Sequence, residues 1–470
     1  MNLPKINRRR VLAGLSTVPL AAAAGFPALA QDRPARPTEA PGDRRTTLLR
    51  GADLVLTMDP HVGKGTLGQL ENGVDVLLKD GTVAAVGHGL TAPAGARVLD
   101  TRGKIVLPGF VDLHNHLWQS SIRGGCSNED LYGWLSDCNR VTLPKIGPQD
   151  MYRFVHLAAL DALQAGVTTL VDWVHPVPYD TSARYIKALD DSGLRFVYAS
   201  TQSAADAHLI PKIKKDFLDP LPLASVQVSA HAGMGQIKEL RALYEVARDL
   251  GVMFNSHVLE NKGDRADDPI RSLREIDAFG PNLLMNHAIH LTDEEIALTG
   301  EHDVRIAHCP LSNMRLASGI CPLPAFHQQG VKAGLGHDGG TNDTSDMFNV
   351  MKAAVGLQRA RHEDAAIHPT LPAVLRMATL GGAEAIGMAD RVGSLTPGKR
   401  ADVVVLDPGT LNFAPRFDWT SQIVLNGQPP NVSEVFVDGH LRKSQGELLH
   451  VDTERVVREA ELAAAHLRDA

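Results

Sequence analysis

A chain of 470 residues that is 44% apolar, 21% charged and 5% aromatic has the make-up of a packed globular protein. That composition excludes a disordered chain, a collagen and a disulfide miniprotein. The formal charge of −7, from 47 basic and 54 acidic residues, sets nucleic acid aside as a partner.

Residues 1–30 read as an export leader. Asn7-Arg8-Arg9-Arg10 precedes an alanine-rich apolar run from Val11 to Ala24, and Ala28-Leu29-Ala30 has the small-x-small pattern of a cleavage site. The run is too short and too weakly apolar for a stable membrane span, so no span is expected once the leader is removed. Paired arginines before a modest hydrophobic core resemble a twin-arginine signal. That implies an export machinery that moves folded proteins, and a periplasmic or secreted destination. Without Lys5, Arg8, Arg9 and Arg10 the mature chain would carry 43 basic against 54 acidic residues. Residues 31–45, with Pro34, Pro37, Pro41 and Gly42, read as a linker.

Residues 46–104 look all-β. Thr47–Leu56, Gly73–Lys79 and Val83–Gly87 are alternating or β-branched runs, and Asp80-Gly81 is a hairpin turn. A matching set occupies residues 390–450, with strands at Ala401–Leu406 and Val435–Val437 and a turn at Asp438-Gly439. Between them, residues 105–389 alternate strand and helix. Strand ends fall near His114, Trp173, Ala199, His231, His257, His287, His308 and Gly336, with later spacings of a βα unit. Gly235–Leu250 is an amphipathic helix stopped by Gly251, and Thr292-Asp-Glu-Glu295 is a capping box. Ser345–Arg361 and Leu371–Ile386 are two further helices. Eight such units predict a (β/α)8 barrel, whose catalytic groups sit at the C-terminal strand ends. Five of the eight expected ends carry a histidine. Residues 451–470 read as a closing helix.

The four cysteines, Cys126, Cys138, Cys309 and Cys321, form no CxxC pair, which excludes a cysteine zinc cluster. Buried thiols are the expectation, with Cys309–Cys321 the pair to form if one does.

The chemistry lies on the strand ends. In His114-Asn-His116 the two histidines are two residues apart, so a strand presents both imidazoles to one cation. His257 ends another strand, with Glu260 three residues on. His287 and His308 end two more. His337-Asp338-Gly-Gly ends the last, where glycines permit close approach of backbone or ligand. Each piece alone reads equally as a hydrogen-bonded loop residue; all of them together do not.

These residues lie in the motifs PGFVDLHNH, SSIRGG, LYGWL, GVTTLVDW, SHVLE, NHAIHLTDEE, AHCPLSNMRLASGI, GLGHDGGTND and GSLTPGKRADVVVLD. In their order and spacing, over about residues 47–440, the chain resembles the amidohydrolase superfamily. Within it, the resemblance is to the branch of triazine hydrolases and of guanine, adenosine-type and S-adenosylhomocysteine deaminases. The resemblance implies an α/β fold, a distorted (β/α)8 TIM barrel with a small β-sandwich made from both chain ends. It implies one divalent metal ion, Zn2+ with Fe2+ as the alternative, held by His114, His116, His257 and Asp338. Glu260 and His287 match the family's proton-transfer pair, with Asp338 sharing in the proton's removal. His231 would touch substrate, and His308 would hydrogen-bond either substrate or the oxygen bound to the metal. Trp118, Gln119 and His175, just beyond strand ends, are placed to stack on or hydrogen-bond a planar ring, although Trp118 reads equally as loop packing. The fourth strand, Ser225–His231, lacks the lysine of two-metal relatives. The sequence departs from the family at Ala230-His231-Ala-Gly-Met234 and at His337, which bears on the substrate rather than the metal.

The expected activity is hydrolytic deamination of a nitrogen heterocycle, a small molecule, with release of ammonia. Hydrolysis of a cyclic or linear amide or of a halogenated ring would use the same groups. A non-catalytic exported binding protein is the remote reading, since it predicts lost metal ligands. Self-association is left open.

Overall fold

Residues 43–340 and 345–469 are described here from a computed structural model of the chain. The expected leader and residues 31–42 of the expected linker lie outside them.

Five strands open the described chain: β1 (Asp43–Leu56), β2 (Gln69–Lys79), β3 (Thr82–His88), β4 (Ala96–Asp100) and β5 (Ile105–Pro108). Eight follow with helices between them: β6 (Phe110–Asn115), β7 (Val167–Val174), β8 (Arg195–Ser200), β9 (Ala224–His231), β10 (Phe254–Val258), β11 (Leu283–His287), β12 (Arg305–His308) and β13 (Lys332–Leu335). β14 (Val403–Leu406), β15 (Val432–Val437), β16 (His440–Ser444) and β17 (Glu447–Leu448) precede a last helix, Thr453–Asp469.

The first five and last four strands join in one nine-stranded sheet, ordered β17-β16-β15-β14-β5-β1-β2-β3, with β4 against β1. Leu49, Val55, Val76, Val83, Val405 and Phe436 meet in a core of its own. This is the expected β-domain built from both chain ends, its strands hydrogen-bonded into a continuous sheet. The boundary expected at residue 105 falls at Gly109, because β5 pairs with β1 and β14.

β6 to β13 lie side by side in sequence order, each pair parallel, as the barrel prediction requires. Val167–Val174 and Arg195–Ser200 are buried at every position, as strands covered on both faces must be. The helix Ile237–Leu250 buries Leu240, Leu243 and Ala247 and stops at Gly251, whose φ of 64° suits glycine. The Thr292 capping box opens Asp293–Glu301 as expected. The single helix expected over Leu371–Ile386 is two, Leu371–Met377 and Leu380–Ala385. Thr379 interrupts it by bonding its hydroxyl back to Leu375 O at 2.8 Å. Gly382 follows, so close to β6 that a Cβ there would lie 2.9 Å from Leu113.

The seam between β13 and β6 closes through a single bridge, Asn115 to Asp338. Asp338 N–H donates to His114 O at 2.8 Å, and His116 N–H donates to Asp338 O at 3.2 Å. Asp112 reinforces the seam. Its carboxylate accepts from the His337 backbone at 3.1 Å, His337 Nδ1 at 2.9 Å and Asn115 Nδ2 at 2.7 Å. Burial opposes a charge on His337, but Asp112 outweighs it and raises the imidazole's pKa. Barrel closure and the placing of three expected metal ligands are thus one event. Elsewhere Arg195, 1% exposed, pairs with Asp402 and Asp438 at 2.8 Å each and fastens the barrel to the sheet.

The cysteine expectation is overturned. Cys126 and Cys138 form a disulfide, with Cα atoms 6.3 Å apart, while Cys309 and Cys321 are buried free thiols. Between β6 and β7 the chain makes a long excursion of short helical turns that doubles back and brings residues twelve apart together. Cys309 instead is fixed in the barrel wall beside β13 and β6, where a Cβ on Gly336 would lie 3.0 Å from both its sulfur and His114. Among the described residues no helix is long and apolar enough to cross a membrane.

Candidate active site

The ends of β6 and β10 and the turn after β13 bring four expected metal ligands together. The His114 ring lies 4.7 Å, centroid to centroid, from those of His116 and His257. Nε2 of His114 and Nε2 of His116 stand 3.5 and 3.3 Å from Asp338 Oδ1. Two donors bound to one cation at ~2.1 Å and a tetrahedral angle would be about 3.4 Å apart, so the spacing suits a shared ion. The ligand atoms of His114, His116 and Asp338 all lie within 4.8 Å of one another. So do those of His114, His257 and His287.

The imidazoles are prepared for this role. His116 Nδ1 meets Trp173 O at 2.6 Å; a carbonyl can only accept, so the ring proton is on Nδ1 and the Nε2 lone pair faces Asp338. Both ring nitrogens of His114 and Nδ1 of His257 are buried without a hydrogen-bond partner, and a cation beside Asp338 would give His114 Nε2 the partner it lacks. Burial pushes the pKa of His114 and His257 down, towards the neutral form that ligates. Three neutral imidazoles and a carboxylate fit Zn2+ or Fe2+.

Beside them two carboxyls stand in opposite states. Burial works against a charge on Asp338, yet the His114 and His116 rings hold its carboxyl well below the usual range. The Ser312 hydroxyl donates to its Oδ2. Glu260 is 6% exposed, and its Oε1 has no partner. Burial, then the charges of Asp338 and Asp264, raise its pKa well above the carboxylate range, which favours its protonated form. His287 lies between them. Its Nδ1 pairs with the Asn313 amide at 2.9 Å, which turns Nε2 towards Glu260 Oε2 at 3.5 Å and Asp338 Oδ2 at 4.0 Å. Burial lowers the His287 pKa to about 3. His287 and Asp338 have φ of 67° and 69°, a left-handed backbone that non-glycine residues adopt at a cost. Neighbouring groups with pKa values driven apart can act as acid and base.

This floor opens into a cavity of about 260 Å3. Of the expected substrate contacts, Gln119, His175 and His231 line it; Trp118 and His308 do not. Trp118 is fully buried and donates its indole N–H to His175 Nδ1 at 3.1 Å, so it meets the cavity only through His175. His308 is 1% exposed, and burial lowers its pKa to about 3. Gln119 Oε1 accepts the Gly340 N–H at 2.9 Å and anchors the turn that carries Asp338.

Sequence reasoning missed one whole wall. Leu131, Tyr132, Trp134, Leu135, Asn139 and Arg140, from the excursion that the disulfide closes, line the cavity. The Tyr132 hydroxyl donates to Asp264 at 2.7 Å and joins this wall to the turn after Glu260. Ser312 and Asn313 were missed as well. Their signal was present, as the polar pair of AHCPLSN just beyond His308.

The Amidohydrolase family profile matches residues 105–442. A 5'-deoxyadenosine deaminase of Methanosarcina acetivorans is 31% identical over 436 residues, 88% of this chain and 96% of its own. A 5-methylthioadenosine/S-adenosylhomocysteine deaminase of Syntrophomonas wolfei is 29% identical, covering 83% of this chain and 94% of its own. An adenosine deaminase from Xanthomonas campestris, solved with bound zinc, superposes with a TM-score of 0.79 at 26% identity, over 90% of this chain and 99% of its own. An atrazine chlorohydrolase from Arthrobacter aurescens shares the fold, with a TM-score of 0.81 at 23% identity over 89% of this chain and 100% of its own.

Proposed function

The chain belongs to the amidohydrolase family and is a hydrolase of carbon–nitrogen bonds other than peptide bonds, and we propose that it removes an exocyclic amine from a nitrogen heterocycle and releases ammonia. One observation carries this reading. Glu260 and Asp338 flank His287 at 3.5 and 4.0 Å, the first carboxyl biased towards its protonated form and the second towards its ionised form, on a floor that also holds His114, His116 and His257.

His114, His116, His257 and Asp338 would hold a single divalent cation, with Zn2+ favoured by the zinc in the Xanthomonas campestris relative. Such a cation supplies a nucleophile at neutral pH by lowering the pKa of water from ~15.7 towards ~7. Asp338 takes up the proton of the attacking water, and His287, whose Nδ1 accepts from the Asn313 amide so that its proton is on Nε2, orients that water. Glu260 gives its proton to the ring nitrogen next to the carbon under attack, so that nitrogen can accept the displaced electron pair. Glu260, left as a carboxylate, recovers a proton from the hydroxyl on the tetrahedral carbon, while the proton taken from water passes from Asp338 to the departing amine as the carbon–nitrogen bond breaks. Ammonia leaves and a carbonyl remains. Gln119, His175 and His231 orient the ring, and Trp118 holds His175 in place.

The test is a screen of the metal-loaded protein against amino-substituted purines, pyrimidines, pterins and triazines, assayed for ammonia, halide and free acid. Ammonia release is expected; halide or acid without ammonia contradicts the reading.

Export in folded form through a twin-arginine signal is part of the same proposal. The Cys126–Cys138 disulfide supports it, because such bonds persist in oxidising compartments. Cell fractionation should find the protein in the periplasm or medium, and an Arg8→Lys/Arg9→Lys pair should hold it inside. Cytoplasmic residence of the unaltered chain would end the export proposal.

A further inference from the structure

Trp118 and Gln119, consecutive residues just after His116, give their side of the cavity a fixed hydrogen-bond polarity. Trp118 is fully buried, and its indole N–H, which can only donate, meets His175 Nδ1 at 3.1 Å. Nδ1 must therefore be the unprotonated nitrogen, because a proton there would set N–H against N–H. The ring proton of His175 is left on Nε2. His175 is half-buried and lines the cavity, beside the floor, with its ring 4.8 Å from that of His116. Its Nε2 has no hydrogen-bond partner among the described residues and, unlike the nitrogens of His114, is not sealed from solvent. The open edge of the ring is thus a donor. Gln119 repeats the pattern. Its Oε1 is engaged by the Gly340 N–H at 2.9 Å, and Gly339 makes room for it, since a Cβ there would lie 1.5 Å from that oxygen. Its Nε2 has two protons to give, has no partner among the described residues and is likewise not sealed.

Both acceptors of this pair are engaged inside the protein, and both free groups are donors. A ligand edge carrying N–H would leave donor facing donor, at the cost of an unmade hydrogen bond on each side. A carbonyl oxygen or an unprotonated ring nitrogen completes them. An imidazole without Trp118 could present either a proton or a lone pair to the cavity. We propose that Trp118 is a positioning residue that holds His175 as an obligate donor, so that His175 and Gln119 select rings presenting a lone-pair acceptor, a carbonyl oxygen or an unprotonated nitrogen, to the ends of β6 and β7. The reaction on that ring rests on the deamination reading; the donor lock rests on Trp118 and His175 alone.

Two measurements on the metal-loaded protein test this. The first is NMR of protein labelled at the histidine ring nitrogens, with His175 assigned by its loss in His175→Phe. An unprotonated Nδ1 and a protonated Nε2 are expected. Trp118→Phe keeps an aromatic ring but has no N–H, and should let the proton divide between the two nitrogens. A proton on Nδ1 in the parent, or an unchanged ring in Trp118→Phe, overturns the lock; if Trp118→Phe does not fold, the parent's ring nitrogens decide. The second compares ammonia release within pairs that differ in one ring acceptor: adenosine against 7-deazaadenosine, adenosine against 3-deazaadenosine, and pterin against 5-deazapterin. In at least one pair the compound with the acceptor should be favoured about tenfold in kcat/KM, mainly through KM. Trp118→Phe and His175→Phe should each narrow that gap to within about threefold. No gap in any pair, or a gap that survives both substitutions, overturns the selection. Ammonia without a gap ends the selection alone. No ammonia from any compound ends the deamination reading and the selection together, and the ring nitrogens still decide the lock.

Discussion

Glu260→Gln isolates the proton donor from everything else at the site. The substitution keeps the size of the side chain and its amide can still hydrogen-bond, but it has no proton to give. Glu260 is 6% exposed, and burial and the charges of Asp338 and Asp264 raise its pKa and favour the uncharged form. The exchange is therefore neutral for neutral, and the melting temperature should barely move. Glu260 is not one of the four ligands, so bound metal should stay at the parent level. Proton transfer by a positioned side chain is worth 10²–10⁴-fold, or roughly 3–5 kcal/mol of barrier, and kcat/KM should fall by that factor. Only the protonated carboxyl serves. The parent's rate should therefore decline as pH rises through the raised pKa of Glu260, and the variant should lose that alkaline limb. The assay is continuous ammonia release, with metal content and thermal unfolding measured on the same samples. A variant that keeps its metal and turns over within about threefold of the parent would refute the assignment.

Other consequences can be checked independently. His308 is buried with its pKa lowered to about 3 from 6.5, so its stabilising contribution is complete above about 6.5 and is lost as pH falls towards 3. Between pH 7 and 5 this costs about 2 kcal/mol, and His308→Gln should lose about that much less in denaturant titrations over the interval; equal losses would contradict the burial argument. The Cys126→Ser/Cys138→Ser pair should loosen the cavity wall, with a closure of twelve residues worth about 3 kcal/mol. KM should rise while kcat stays nearly constant, and unchanged kinetics would show that the wall holds without its staple. Ser312→Ala removes the hydroxyl bonded to Asp338 Oδ2, and metal affinity should drop 10–100-fold in chelator competition. Unaltered affinity would show that Asp338 needs no such support.

What could be read from the sequence was whatever depends on local period. The two-residue period puts His114, on β6, and His116, just past its end, on one face, and strand ends place His257, His287 and Asp338. What escaped depends on the path of the chain between elements. Nothing local distinguishes Cys126–Cys138 from Cys309–Cys321; the excursion after β6 decides it. Trp118 stands next to the cavity in sequence, yet its indole points to His175 rather than into the open space. The break at Thr379 is invisible in the apolar pattern of 371–386, because it lies in one hydroxyl bonding back to Leu375 O rather than in any change of hydrophobic period. Arg140 and Asp264 are ordinary surface charges until the fold sets them at one mouth.

Metal stoichiometry coupled to activity is the most direct test of the catalytic centre. Purified protein should contain one divalent ion per chain by elemental analysis. Exhaustive chelation should abolish ammonia release, and one equivalent of Zn2+ should restore it. Two ions per chain, or full turnover by protein shown to be metal-free, would contradict a single cation held by His114, His116, His257 and Asp338.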